Sequence, residues 1–162
     1  MFHTADIADA WPDRIAVCEL AFISFAKRGA FHGPIHTVQV FEDNVLVKAG
    51  IEGAPAGSVL VVDGGGSHRC ALLGGNLAAL AASRGLTGII INGCVRDSHE
   101  LAQIDIGILA IGRSPVKSRK TGSGQVNVAL CFGGVTWNPG QFVYADQDGV
   151  ILTAQAFGGA LS

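Results

Sequence analysis

Three short apolar runs, Ser58-Val59-Leu60-Val61-Val62, Gly88-Ile89-Ile90-Ile91-Asn92 and Ile106 to Ile111, constrain this chain more than anything else in it. None alternates with polar residues, so each reads as a strand buried on both faces. Between the first two, Leu77, Leu80, Ala81 and Arg84 keep helical spacing, and Gly85 suits the position just past a helix end. Between the second and third, Ser98 caps a short helix through Gln103. The series is β-α-β-α-β, and strands joined by such crossovers run parallel. The fold class is α/β.

The flanks are read from weaker signals. Thr4 to Ala10 is helical, with Thr4 as N-cap and Pro12 as the stop. Ile35 to Phe41 alternates like a strand, and Glu42-Asp43-Asn44 caps a short helix through Lys48. Gly53 to Gly57 is a turn. After Gly112, Ser114-Pro115 and Thr121-Gly122-Ser123-Gly124 bound an irregular loop. Gln125 to Phe132, Val135 to Trp137, Phe142 to Ala145 and Val150 to Thr153 then read as strands separated by turns. Without a repeat or linker, residues 1–162 form one domain with a β-rich C-terminal half.

Only 15% of the residues are charged, against about a quarter in ordinary domains. A surface so poor in charge is expected to be covered in part by other copies of the chain. The net charge is −2 and the pI about 6.2. No basic stripe is present to displace counterions, so direct nucleic-acid binding is not expected. Lys117, Arg119 and Lys120 read as a solvated surface loop. Asp6, Asp9 and Asp13 leave no secretory hydrophobic region at the N-terminus, and no apolar stretch reaches membrane-spanning length. Cys18, Cys70, Cys94 and Cys131 then fit free thiols in a reducing cytoplasm, although four cysteines also permit two disulfides.

Two loops carry the candidate chemistry. Gly74-Gly75-Asn76-Leu77 opens a helix, where unpaired N–H groups attract an anion; ordinary capping by Gly75 or Asn76 is the alternative. Arg96-Asp97 follows the carboxyl end of a buried strand, the edge at which open α/β sheets bind ligands. Arg96 offers a fork for a carboxylate or keto oxygen, and Asp97 a hard oxygen for Mg²⁺ or Mn²⁺. Left to themselves, the two charges satisfy each other on an exposed turn. Asp63-Gly64-Gly65-Gly66 lacks a phosphate-loop pattern and reads as a tight strand exit. The histidines carry no metal-ligand spacing, and Cys94 has no neighbouring His in sequence to activate it.

Several blocks, taken in order, resemble the RraA-like family of 4-hydroxy-4-methyl-2-oxoglutarate aldolases and regulators of ribonuclease activity. They are Val61 to Ser67, Ala71 to Ala78 and Asn92 to Asp97, with Phe41 to Asn44, Asp105 to Gly107, Phe132 to Val135 and Tyr144 to Asp146. The resemblance implies a swivelling-type β/β/α domain, a ring-shaped homotrimer with its site between subunits, and a divalent cation, Mg²⁺ or Mn²⁺. It implies a class II pyruvate aldolase that cleaves 4-hydroxy-4-methyl-2-oxoglutarate or 4-carboxy-4-hydroxy-2-oxoadipate and also decarboxylates oxaloacetate. By motif, Gly74, Gly75, Asn76 and Leu77 bind the substrate carboxylate, Arg96 is catalytic at the oxo-acid end, and Asp97 holds the metal. No lysine Schiff base is required, and no lysine is expected near these motifs to offer one.

One position departs from the aldolase pattern. An acid that organises metal-bound water stands there twenty-one positions before the arginine, and here that position is Gly75. The glutamate that longer aldolases draw from a neighbouring subunit has no assigned equivalent. The alternative is a regulator that binds a ribonuclease as partner. A menaquinone methyltransferase, another label used for relatives, lacks support in the glycine loop.

Overall fold

The computed structural model describes residues 1–158, so the last four positions of the expected domain lie outside the described residues. In chain order the elements are α1 (Thr4–Ala10), a 3₁₀ turn (Pro12–Arg14), β1 (Ile15–Val17), β2 (Ile23–Ser24), β3 (Phe31–Gln39), α2 (Val45–Gly53) and β4 (Val59–Asp63). There follow β5 (Ala71–Leu73), α3 (Gly75–Ser83), β6 (Gly88–Val95), α4 (Ser98–Leu101) and β7 (Gly107–Arg113). The last are β8 (Gln125–Val126), β9 (Leu130–Phe132), β10 (Val135–Trp137), β11 (Phe142–Ala145) and β12 (Val150–Thr153).

The parallel core is one strand wider than its three apolar runs suggest. Strands β3, β4, β6 and β7 lie side by side, all parallel. Antiparallel β11, β12 and β1 extend the sheet beyond β3, and β2 closes the other edge against β7. The apolar runs are continuous because each packs on both sides. Leu60, Val62, Ile89, Ile91 and Ile108 face the helices, meeting Val47 and Ile51 of α2 and Ala78 and Ala81 of α3. Val59, Val61, Ile90 and Leu109 face the C-terminal half, meeting Leu130, Trp137, Val143 and Leu152. Alternate residues of one strand thus feed two separate cores.

Phe31 sits across the middle of this arrangement. Gly88 and Gly107 are register partners on β6 and β7, and a Cβ on either would collide with the Phe31 ring. The ring is almost fully buried, so the two glycines provide the room it occupies.

Several boundaries differ from the sequence reading. Residue His3, not Thr4, is the N-cap of α1; the Thr4 hydroxyl instead donates to Asp146 Oδ1 at 2.6 Å. The N-terminus of α2 is served by Asp43, whose Oδ1 accepts the Val45 N–H, and the helix runs past Lys48 to Gly53. The expected strand Gln125 to Phe132 is split into β8 and β9 by Asn127, whose φ of 58° turns the chain. By contrast Gly85, at φ 83°, ends α3 as expected: its N–H reaches Ala82 and the Leu86 N–H reaches Ala81. All four cysteines are free. No helix among the described residues is long and apolar enough to cross a membrane.

Candidate active site

Pairing of β5 with β6 brings the two candidate loops together. The strands are parallel, with Leu73 opposite Val95, so their chains leave at the same edge as Gly74 and Arg96. The Arg96 N–H donates to the Leu73 carbonyl at 2.9 Å, locking the exits side by side. Short β5 escapes the sequence reading; three apolar residues between polar loops carry too little pattern.

Asp97 adopts left-handed backbone, φ 58°, at the N-cap of α4. Its side chain does not cap that helix. Its Oδ2 instead accepts the Gly75 N–H of α3 at 3.0 Å. A Cβ on Gly74 would lie 2.6 Å from that same oxygen, so glycine is what lets the carboxylate approach. No ion pair joins Arg96 to Asp97 among the described residues, and the self-satisfied turn is therefore not what forms. Strain held at a polar loop of this kind is a common mark of function.

Helix α3 begins at Gly75 with Gly74 as N-cap, one residue before Gly75 and two before Asn76, the expected caps. Since Asp97 takes the Gly75 N–H, the Asn76 and Leu77 amides are the ones left without a backbone partner in the first turn among the described residues. Gly75 has a second consequence. A Cβ there would collide with the Glu100 carboxylate, which fills the space a side chain at position 75 would need.

Gly74, Asn76, Leu77, Arg96 and Asp97 edge a cavity of about 530 Å³ between α2, α3 and the segment after β7, a size suited to a small ligand. Its lining includes Lys48, Arg96, Asp97, Lys117 and Lys120. Lys117, Arg119 and Lys120 are exposed, as expected of a surface loop, but Lys117 and Lys120 also line this cavity, which corrects the expectation that no lysine is near the motifs. The signal is hidden in the sequence because the pairing that folds this loop back is an isolated bridge, Ala71 with Lys117.

Asp43 holds the far end of that loop. It accepts the Thr121 hydroxyl and N–H and the Gly122 N–H as well as that of Val45. Burial by itself would raise its pKa, but these bonds, led by the Thr121 hydroxyl, outweigh it and hold the carboxyl at about 2. Glu42 engages the neighbouring cations Arg69 and Arg119.

The other candidates are quieter. Gly64 is a tight exit: its N–H reaches the Asn92 carbonyl at 2.9 Å, and a Cβ would press on Leu72 and on that carbonyl. A second cavity, about 550 Å³, lies over Phe41, Asp63 and Gly65 and has no cation in its lining. Cys94 has a histidine beside it after all, His68 Nδ1 at 3.4 Å, from a segment distant in sequence. Burial nevertheless pushes the Cys94 thiol up, away from a reactive thiolate.

A divalent cation can be tested against these donors. Asp97 offers one carboxylate beside unpaired amides, and no cluster of three His, Cys, Asp or Glu side chains occurs among the described residues. A structural zinc centre needs about four protein ligands. Mg²⁺ or Mn²⁺, which take one or two carboxylates with substrate and water oxygens, suit this donor set.

Comparison with known proteins places the chain among relatives. A family model described as RraA-like, Aldolase/RraA, matches residues 4–152. A Bacillus cereus protein, provisionally named a 4-hydroxy-4-methyl-2-oxoglutarate aldolase, is 53% identical over 96% of this chain and 98% of its own length. A Geobacillus kaustophilus crystal structure named S-adenosylmethionine: 2-dimethylmenaquinone methyltransferase has a TM-score of 0.95 at 54% identity, covering 96% of each chain. The RNA-processing inhibitor RraA from Thermus thermophilis has a TM-score of 0.95 at 44% identity, covering all of this chain and 98% of the other.

Proposed function

The chain belongs to the RraA-like family, and from that premise we propose that it is a divalent-metal-dependent lyase releasing pyruvate from 4-hydroxy-4-methyl-2-oxoglutarate or 4-carboxy-4-hydroxy-2-oxoadipate. The observation that carries this reading is the meeting on one cavity of Arg96, the Asp97 carboxylate and two amides, where Arg96 has no carboxylate partner and the amides no backbone partner among the described residues. The aldolase name of close relatives supports it.

In this reading the Asn76 and Leu77 amides hold the carboxylate of the 2-oxo acid at the N-terminus of α3. Arg96 donates to the keto oxygen, where negative charge grows as the C3–C4 bond breaks. That bond's electrons pass into the pyruvate enolate, the 4-hydroxyl loses its proton to become the carbonyl of the second product, and C3 later gains a proton. Glu100 faces Gly75 from just outside the cavity lining, and it is the carboxylate we assign to that proton traffic, acting through an intervening water. A divalent cation held by Asp97 would supply Lewis-acid polarisation of the 2-oxo group, worth several kcal/mol. The same groups serve the decarboxylation of oxaloacetate, which also ends at the pyruvate enolate.

A homotrimer with its site between subunits is part of the proposal. Exposed Phe41, Val45, Val116 and Val126 would be covered by such an assembly. The test is pyruvate release with Mg²⁺ or Mn²⁺. Chelator, Arg96→Ala and Asp97→Ala are each expected to abolish it, and decay of oxaloacetate at the buffer rate defeats the reading.

A second reading, a ribonuclease-binding regulator, is favoured by Gly75 in place of an acid and by likeness to the Thermus protein. It predicts capture of an endoribonuclease that Arg96→Ala does not disturb. The methyltransferase name gains no support from Gly64, which is packed against Leu72 and the Asn92 carbonyl.

A further inference from the structure

We propose that Lys117 is a specificity-determining residue, pairing with a second carboxylate on the 2-oxo acid and so selecting dicarboxylates over monocarboxylates. The inference rests on the reading above, which gives the first carboxylate to α3 and the keto oxygen to Arg96.

The charge of the cavity is the starting point. Lys48, Arg96, Lys117 and Lys120 line it against a single carboxylate, Asp97. Most nearby cations are already engaged. Lys48 lies 3.9 Å from Glu52, Lys120 donates to Asn44 Oδ1 at 3.1 Å, and Arg69 and Arg119 pair with Glu42. Among the described residues no carboxylate or amide oxygen partners the ammonium group of Lys117. Arg96 is the other lining cation in that condition, and the proposed chemistry already employs it.

Lys117 is also held in place. Its residue forms a parallel bridge with Ala71, three positions before Gly74, and the Ala71 N–H donates to the Val116 carbonyl at 2.8 Å. On the other side Ser118 is buried, and the Arg119 N–H donates to the Glu42 carbonyl at 2.9 Å. The backbone is therefore fixed on both flanks while the side chain stays exposed. A ligand with one carboxylate leaves these like charges facing one another. A second carboxylate neutralises them and gains a charge-assisted hydrogen bond.

Binding of 2-oxoglutarate and of 2-oxopentanoate separates the two cases, since they share a five-carbon 2-oxo acid and differ in the far carboxylate. Each is titrated calorimetrically into the full chain, with and without Mg²⁺. We expect Lys117→Gln to weaken 2-oxoglutarate about tenfold, leave 2-oxopentanoate unchanged and keep the melting temperature, with Lys117→Arg restoring the preference. Equal weakening of both ligands, or none for 2-oxoglutarate, overturns the proposal. Should no substrate yield pyruvate while this pattern holds, the lyase reading fails and the carboxylate site stands.

Discussion

Replacing Asp97 with Asn separates the structural work of this side chain from its proposed work as a metal ligand. The Asp97 Oδ2 accepts the Gly75 N–H at 3.0 Å, in space that Gly74 leaves clear. An amide oxygen of the same shape can accept that bond without the charge. A charge-assisted bond is about twice as strong as a neutral one, and a net hydrogen bond contributes about 1 kcal/mol. A carboxylate at a helix N-terminus adds about 0.3–1 kcal/mol. The left-handed backbone at position 97 suits Asn as well as Asp, so it adds no further cost. Asp97→Asn should therefore cost about 1–2 kcal/mol, a fall in Tm of about 2–8 °C for a domain of this size. Manganese affinity and pyruvate release should fall far more, by upwards of about 100-fold. Denaturant titration, calorimetry with Mn²⁺ and a coupled pyruvate assay read the three quantities. Unchanged manganese affinity and turnover would refute the argument. So would a collapse in stability well beyond that window, which would make Asp97 a structural clasp.

Further expectations concern residues the mechanism or the fold depends on. Glu100→Gln should lower turnover by about 10²-fold while leaving 2-oxoglutarate binding, measured by calorimetry, as it was. Asp43 has a folded pKa of about 2, below its ordinary 3.8, so its stabilisation is present above about pH 4 and lost as pH falls toward 2. That loss is roughly 2 kcal/mol, and denaturant midpoints against pH should show it in the native chain and not in Asp43→Asn. Gly107→Ala should cost about 1–3 kcal/mol by overpacking against Phe31. The same change on a Phe31→Leu background should cost less, as a double-mutant cycle would measure.

The sequence is most legible where burial is two-sided. Val59 to Val62 and Gly88 to Ile91 have no polar face to disguise them, so the parallel centre can be read from the runs alone. Short elements escape because their stability is tertiary: β1, β2 and β5 have two or three residues each and exist only by pairing with longer strands. In the site, Arg96, Asp97 and the α3 turn stand out because they flank strongly patterned elements. Lys117 and Glu100 stay hidden for the opposite reason. Lys117 arrives through one isolated bridge, and Glu100 reaches Gly75 from α4, so only coordinates reveal either approach.

The crowding between Gly75 and Glu100 makes the two positions rivals for one volume. A chain that places an acid on α3 there must shorten or turn aside the residue on α4, and a chain that keeps the longer side chain on α4 must stay bare on α3. Exchange of the two, as in a Gly75→Asp, Glu100→Gly double variant, would move a negative charge from one helix to the other. Either arrangement keeps one negative charge packed between the two helices, beside the first turn of α3.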